Sequence, residues 1–208
     1  MSKTESAITT IFLLIACPFT FFVLAWWISF ELSVSERAIP VCAFAGLGVG
    51  IVVVILGLRT WVSSFYSAGK ILTMPLYLFW SAIALAFFMG LPVGVFMLGL
   101  LAGLYIGRKG YHEGKAVTNF KKNVLQVCVF TSIVTGFASL AMGILAIQEA
   151  DTMQIILMLV GMSRLAATAV GRAVLVAIAV PVLIGLQYWL TGRMAYWGFR
   201  LGRENDTK

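Results

Sequence analysis

Two arginines near the end of the chain have the type and spacing to bind a small anion. Arg164 and Arg172 lie eight residues apart, and Glu149 and Asp151 precede them. On one helix this spacing puts the side chains about 80° apart and roughly two turns from each other. Guanidinium groups hold carboxylate or phosphate through paired hydrogen bonds. The pattern predicts substrate-binding roles for both arginines. Alternatively, Arg164 pairs with an acid and Arg172 ends the last helix at the lipid surface.

A second candidate group consists of uncharged polar residues within one apolar stretch, "CVFTSIVTGFAS". Its small polar side chains recur every three or four residues, which places them on one face of a helix. Such a face suits a hydrated path, and it also suits hydrogen bonds between neighbouring helices. We predict that Thr131, Thr135 and Ser139 contribute to substrate binding.

The titratable residues do not form a catalytic set. None of the eight acids falls inside a predicted span, whereas a proton relay needs an ionisable group at membrane depth. The chain has no G-x-x-x-x-G-K-[ST] phosphate loop. Its three cysteines and its single histidine have no metal-ligand spacing. We therefore expect no enzyme activity, no cofactor and no metal.

Composition points to a membrane as the solvent of this chain. Of its 208 residues 61% are hydrophobic and 11% are charged, and the mean hydropathy is +1.00. A soluble domain carries about 25% charged residues. Several apolar runs reach about 18 residues, enough to span the hydrocarbon as a helix. The sequence predicts an integral membrane protein, with the plasma membrane of a bacterium or archaeon as its location.

The apolar runs predict an all-α, polytopic helical bundle of about six transmembrane helices in a single domain, 1–208. Polar links and one Gly-x-Pro turn, at 89–92, separate the runs. The fourth run has glycines spaced by four and five residues, and small residues let helices approach closely in lipid. We predict helix packing at Gly94, Gly99, Gly103 and Gly107. The expected spans are 8–30, 40–58, 71–88, 93–106, 124–147 and 173–190.

The distribution of charge predicts the orientation of these spans. With six spans, 12 of the 15 basic residues fall on the side that holds both termini. Basic links are cytoplasmic, so we expect the N- and C-termini inside. A seventh span over 153–171 would move the basic C-terminal tail outside and place Arg164 at membrane depth, which costs about 2.5–3.5 kcal/mol. We therefore predict a re-entrant or interfacial segment around 152–166.

The net charge of +7 comes mostly from links beside the spans. Anionic lipid headgroups account for such charge, and nucleic acid is not required. The link that begins "RKGYHEGK" is also a candidate docking surface for another subunit. We assign that role to Arg108, Lys109 and His112.

The favoured function is a small-solute membrane transporter, or the membrane-embedded substrate-binding subunit of one, with the solute held near the outer face. Glycine ridges and basic links equally fit a non-catalytic structural subunit of a larger membrane complex. A channel formed by a homo-oligomer is a further alternative, with a pore wall shared between copies. Beyond the lipid bilayer, the expected partners are other membrane or cytoplasmic subunits, or copies of the chain itself.

Overall fold

The computed structural model describes residues 3–67, 69–88, 92–114, 117–148 and 169–205. Within these ranges every regular element is a helix, which confirms the all-α prediction. The predicted spans agree with the helices to within one residue or lie inside them. The helices are α1 (Lys3–Glu31), α2 (Ala38–Ser64) with a 3₁₀ turn at Phe65–Ser67, α3 (Lys70–Phe87), α4 (Val93–His112), α5 (Val117–Gln148) and α6 (Ala169–Asn205).

Five of the described helices are long and apolar enough to cross a membrane, and α3 supplies a shorter apolar stretch, Leu72–Phe87. Their exposed surfaces are rich in Ile, Leu, Val and Phe, as expected for helices in contact with lipid. The protein is therefore an integral membrane protein built from helices. The segment around 152–166, including Arg164, lies outside the described residues.

The chain divides into two compact units, Met1–Ala68 and Gly69–Lys208. In the first unit α1 and α2 pack as an antiparallel hairpin. Gly46 of α2 fits against Phe21 and Ala25, and Gly50 fits against the backbone at Pro18. That the whole chain forms one transmembrane domain stays a prediction.

In the second unit, α4 and α6 run parallel and in very close contact. Gly103 lies against the carbonyl oxygen of Thr191, and Gly107 lies against that of Ala195. A Cβ atom at either glycine would overlap the facing carbonyl oxygen, so no larger residue fits this backbone spacing. We call the row Gly99, Gly103 and Gly107 the glycine seam.

Helix α5 runs antiparallel to α6. Residue numbers rise along one helix as they fall along the other from contact to contact. The last described residue of α5, Gln148, and the first of α6, Ala169, therefore lie at the same end of the unit. The contacts that fix this direction are Thr131 with Thr191, Gly136 with Ile184 and Gly143 with Val176.

Helix α6 is much longer than the predicted last span. Its 37 residues extend about 55 Å, against about 30 Å of bilayer hydrocarbon. Its last turns pack on aromatic neighbours, with the rings of Phe199 and Phe120 4.6 Å apart between centroids. Phe120 also belongs to a small buried cluster with Val124, Cys128 and Ala195. This packing explains why the helix continues past Leu190.

Candidate polar site between three helices

The predicted polar face of α5 is buried in the second unit. Thr131 and Thr135 are wholly buried, and Ser139 is 7% exposed. Their neighbours on the same face, Cys128 and Ser132, are also buried. The structure therefore brings the three predicted α5 residues together on one inward face.

Helix α6 contributes two further buried polar residues, Gln187 and Thr191, and Thr191 contacts Thr131 of α5. The Gln187 Nε2 donates to Thr191 Oγ1 over 3.0 Å. The hydroxyl oxygens of Thr191 and Thr131 are 3.2 Å apart, and Thr131 donates to the carbonyl oxygen of Cys128. Since the Thr131 proton is used in that bond, Thr191 donates to Thr131. A directed chain of hydrogen bonds thus links α6 to α5.

Helix α4 leaves space for this row of hydrogen bonds at Gly99, the first glycine of the seam. The Gln187 amide occupies the space where a Cβ atom on Gly99 would lie, and Thr191 Oγ1 would be 3.2 Å from that atom. Gly99 therefore bounds the polar site on the side of α4. The three-helix polar site is defined as Gly99, Thr131, Gln187 and Thr191 together with the buried α5 hydroxyls of Ser132, Thr135 and Ser139.

Several polar atoms in this site have no hydrogen-bond partner among the described residues. They are Gln187 Oε1 and the hydroxyl oxygens of Ser132, Thr135 and Ser139. A buried polar atom left without a partner costs about 1–3 kcal/mol. Ser132 and Ser139 are seven residues apart, which is about 10 Å along α5, and Thr135 lies between them. The site thus presents a line of hydroxyls with unused donors and acceptors.

Hydroxyl and amide groups of this kind can hydrogen-bond to a ligand. The buried polar residues of the described chain include hydroxyls and one amide but no carboxylate. Within the described residues no three His, Cys, Asp or Glu side chains lie close enough together to hold a metal ion. The arrangement suits a neutral polar molecule or a short row of water molecules.

The other predicted substrate-binding residues lie apart from this site. Arg164 is outside the described residues. Arg172 is half-buried in the first turn of α6, 15 residues or about 22 Å from Gln187 along the helix. The structure does not bring Arg172 together with the α5 hydroxyls near Gln187.

The predicted packing glycines on α4 are all buried, but they face two different helices. Gly94 contacts Ala84 and Phe88 near the end of α3, whereas the three glycines of the seam face α6. The four glycines therefore lie at two helix interfaces.

The predicted docking residues on α4 differ in their exposure. Arg108 is 9% exposed. Lys109 lies 3.9 Å from the Glu113 carboxylate, with its ammonium over the Tyr105 ring. His112 is the exposed member of the three. A docking role for this group stays a prediction, and His112 would be its accessible part.

The binding residues predicted from the sequence do not include Gln187 and Thr191. The expected last span ended at Leu190, so Thr191 fell outside it. Gln187 and Thr191 are four residues apart and so lie on one face of their helix. This spacing is the signal that could have identified them.

No family model matches the chain, and comparisons with curated proteins and with solved structures find no match.

Replacing each threonine by valine distinguishes the bonded hydroxyls from the unused ones. We expect Thr191→Val to lower the free energy of unfolding by about 1–2 kcal/mol, because it leaves Gln187 Nε2 and Thr131 Oγ1 each short of one partner. Thr135→Val keeps the shape and loses no hydrogen bond to a described residue, so the stability of the protein without solute should be unchanged or higher. Denaturant titration in detergent measures both variants. Equal losses would contradict the hydrogen-bond chain described above.

Proposed function

We propose that the protein is a small-solute membrane transporter, or the membrane-embedded substrate-binding subunit of one. The observation that carries this proposal is the line of buried α5 hydroxyls, Ser132, Thr135 and Ser139, that have no partner among the described residues. Polar atoms in an apolar membrane helix are costly unless something satisfies them. A bound solute, with or without water, would satisfy them.

The chemistry of the site favours a neutral polar solute that both donates and accepts hydrogen bonds. Gln187 Oε1 requires a donor, whereas the α5 hydroxyls serve as donors or acceptors. An anionic solute would need the guanidinium groups of Arg164 and Arg172. Because Arg172 lies about 22 Å from Gln187 along α6, Arg172 would act at the mouth of the path and not beside Gln187.

Native mass spectrometry of the gently solubilised protein tests this proposal. We expect a small molecule to remain bound to the wild type, and Thr135→Val or Ser139→Ala to reduce its occupancy by at least about tenfold. Ser81→Ala is the matched control, because Ser81 is equally buried on α3 but its hydroxyl already donates to the Tyr77 carbonyl oxygen over 2.8 Å.

The same spectra distinguish the alternative functions. A wild-type protein that retains a fixed partner chain and no solute would favour a structural subunit of a larger complex. A symmetric homo-oligomer without bound solute would favour a channel. Equal occupancy in Thr135→Val and Ser81→Ala would contradict a solute site on α5.

We further propose six membrane crossings, with both termini on the cytoplasmic side of the plasma membrane. The antiparallel packing of α5 against α6 supports this count, since Gln148 and Ala169 lie at the same end of the second unit. The chain between Gln148 and Ala169 would then start and end on the same side of the membrane. The excess of basic residues on the links beside Lys121 and Arg200 supports the orientation.

Single cysteines in the second unit test this topology. We expect Val170→Cys to react with a membrane-impermeant maleimide in intact cells, and Lys121→Cys and Arg200→Cys to react only after permeabilisation. All three positions are exposed. The background replaces the native Cys17, Cys42 and Cys128 by alanine. Labelling of Arg200→Cys from the same side as Val170→Cys would rule out six crossings.

A further inference from the structure

The first unit contains a cleft of about 540 Å³ between the start of α1 and the end of α2. It lies far along both helices from their connecting turn. The cleft is wide open to its surroundings, and hydroxyl, guanidinium and aliphatic groups line it. The lining residues are Ser6, Thr10, Leu58, Arg59, Val62 and Ser63.

The polar lining of the cleft suits an anion. Arg59 is exposed and forms no ion pair with any described residue. Ser6 and Thr10 are four residues apart, on one face of α1, and neither hydroxyl is hydrogen-bonded within the described chain. Both hydroxyls and the guanidinium are therefore available as donors. Ser63 already donates to the Thr60 carbonyl oxygen over 2.9 Å, so its oxygen serves as an acceptor.

The apolar lining distinguishes a lipid from a free anion. Leu58 and Val62 form one wall of the cleft. One turn further toward the middle of α2, Ile55 and Leu56 are 63% and 80% exposed. A polar cleft thus continues into an apolar helix surface, which matches a molecule with a charged head and hydrocarbon chains. Inorganic phosphate would leave the apolar wall unused.

We propose that this cleft binds the headgroup of an anionic phospholipid. The phosphate accepts hydrogen bonds from Arg59 and from the hydroxyls of Ser6 and Thr10. A headgroup hydroxyl donates to Ser63, and the acyl chains lie along the exposed face of α2. The predicted orientation puts this end of the hairpin at the cytoplasmic leaflet, where anionic lipids attract basic residues. This site is independent of the three-helix polar site.

Lipid retention by the full chain tests the proposal. Native mass spectrometry in detergent, with added phosphatidylglycerol or phosphatidylcholine, measures the binding of each lipid. We expect the wild type to prefer phosphatidylglycerol and Arg59→Gln to weaken that binding about tenfold, the loss of one charge-assisted contact. Ser6→Ala should give a smaller loss. Arg37→Gln is the matched control, since Arg37 is exposed at the other end of α2 and should leave binding unchanged.

Three results would overturn the proposal. Equal losses in Arg59→Gln and Arg37→Gln would show attraction by overall charge without a site. Equal binding of the two lipids by the wild type would remove the requirement for an anionic headgroup. Displacement of phosphatidylglycerol by excess inorganic phosphate, with full binding of phosphate alone, would make this a site for the free ion.

Discussion

The close approach of α4 and α6 determines what the second unit can hold between its helices. Glycine at positions 103 and 107 leaves room for the carbonyl oxygens of Thr191 and Ala195 to lie against the α4 backbone. Little hydrophobic force drives helices together in lipid, so contact between helices depends on such small residues and on hydrogen bonds. Here both occur at the same interface. The glycine seam brings α6 close, and one turn along the seam the Gln187 amide fills the space beside Gly99.

The seam and the hydrogen-bond chain have different consequences. The seam fixes the separation of α4 and α6, whereas the chain from Gln187 through Thr191 to Thr131 fixes the rotation of α6 relative to α5. With α6 held on two sides, the hydroxyls of Thr135 and Ser139 remain buried without partners in the described chain. Stability alone would favour valine and alanine at these positions. These two hydroxyls are part of the proposed solute site.

The sequence predicted the helices well and their partners poorly. Apolar runs and turn residues gave the helix positions, because hydropathy and helix length are local properties. The face of Thr131, Thr135 and Ser139 also followed from periodicity alone. The spacing of Gly99, Gly103 and Gly107 indicated a close contact, yet it could not identify α6 as the neighbour. Pairing of helices depends on residues far apart in the chain, and Thr191 lies one residue beyond the predicted end of the last span.

A double-mutant cycle at Gly99 and Gln187 is the most direct test of the glycine seam as the element that positions the polar site. In the wild-type background Gly99→Ala should lower the free energy of unfolding by about 1–3 kcal/mol, because its Cβ atom overlaps the Gln187 amide. In the Gln187→Ala background the same change should cost less than about 0.5 kcal/mol. Gly185→Ala, at an open position on α6 with no atom near the added Cβ, serves as the control. An equal cost of Gly99→Ala in both backgrounds would contradict the account.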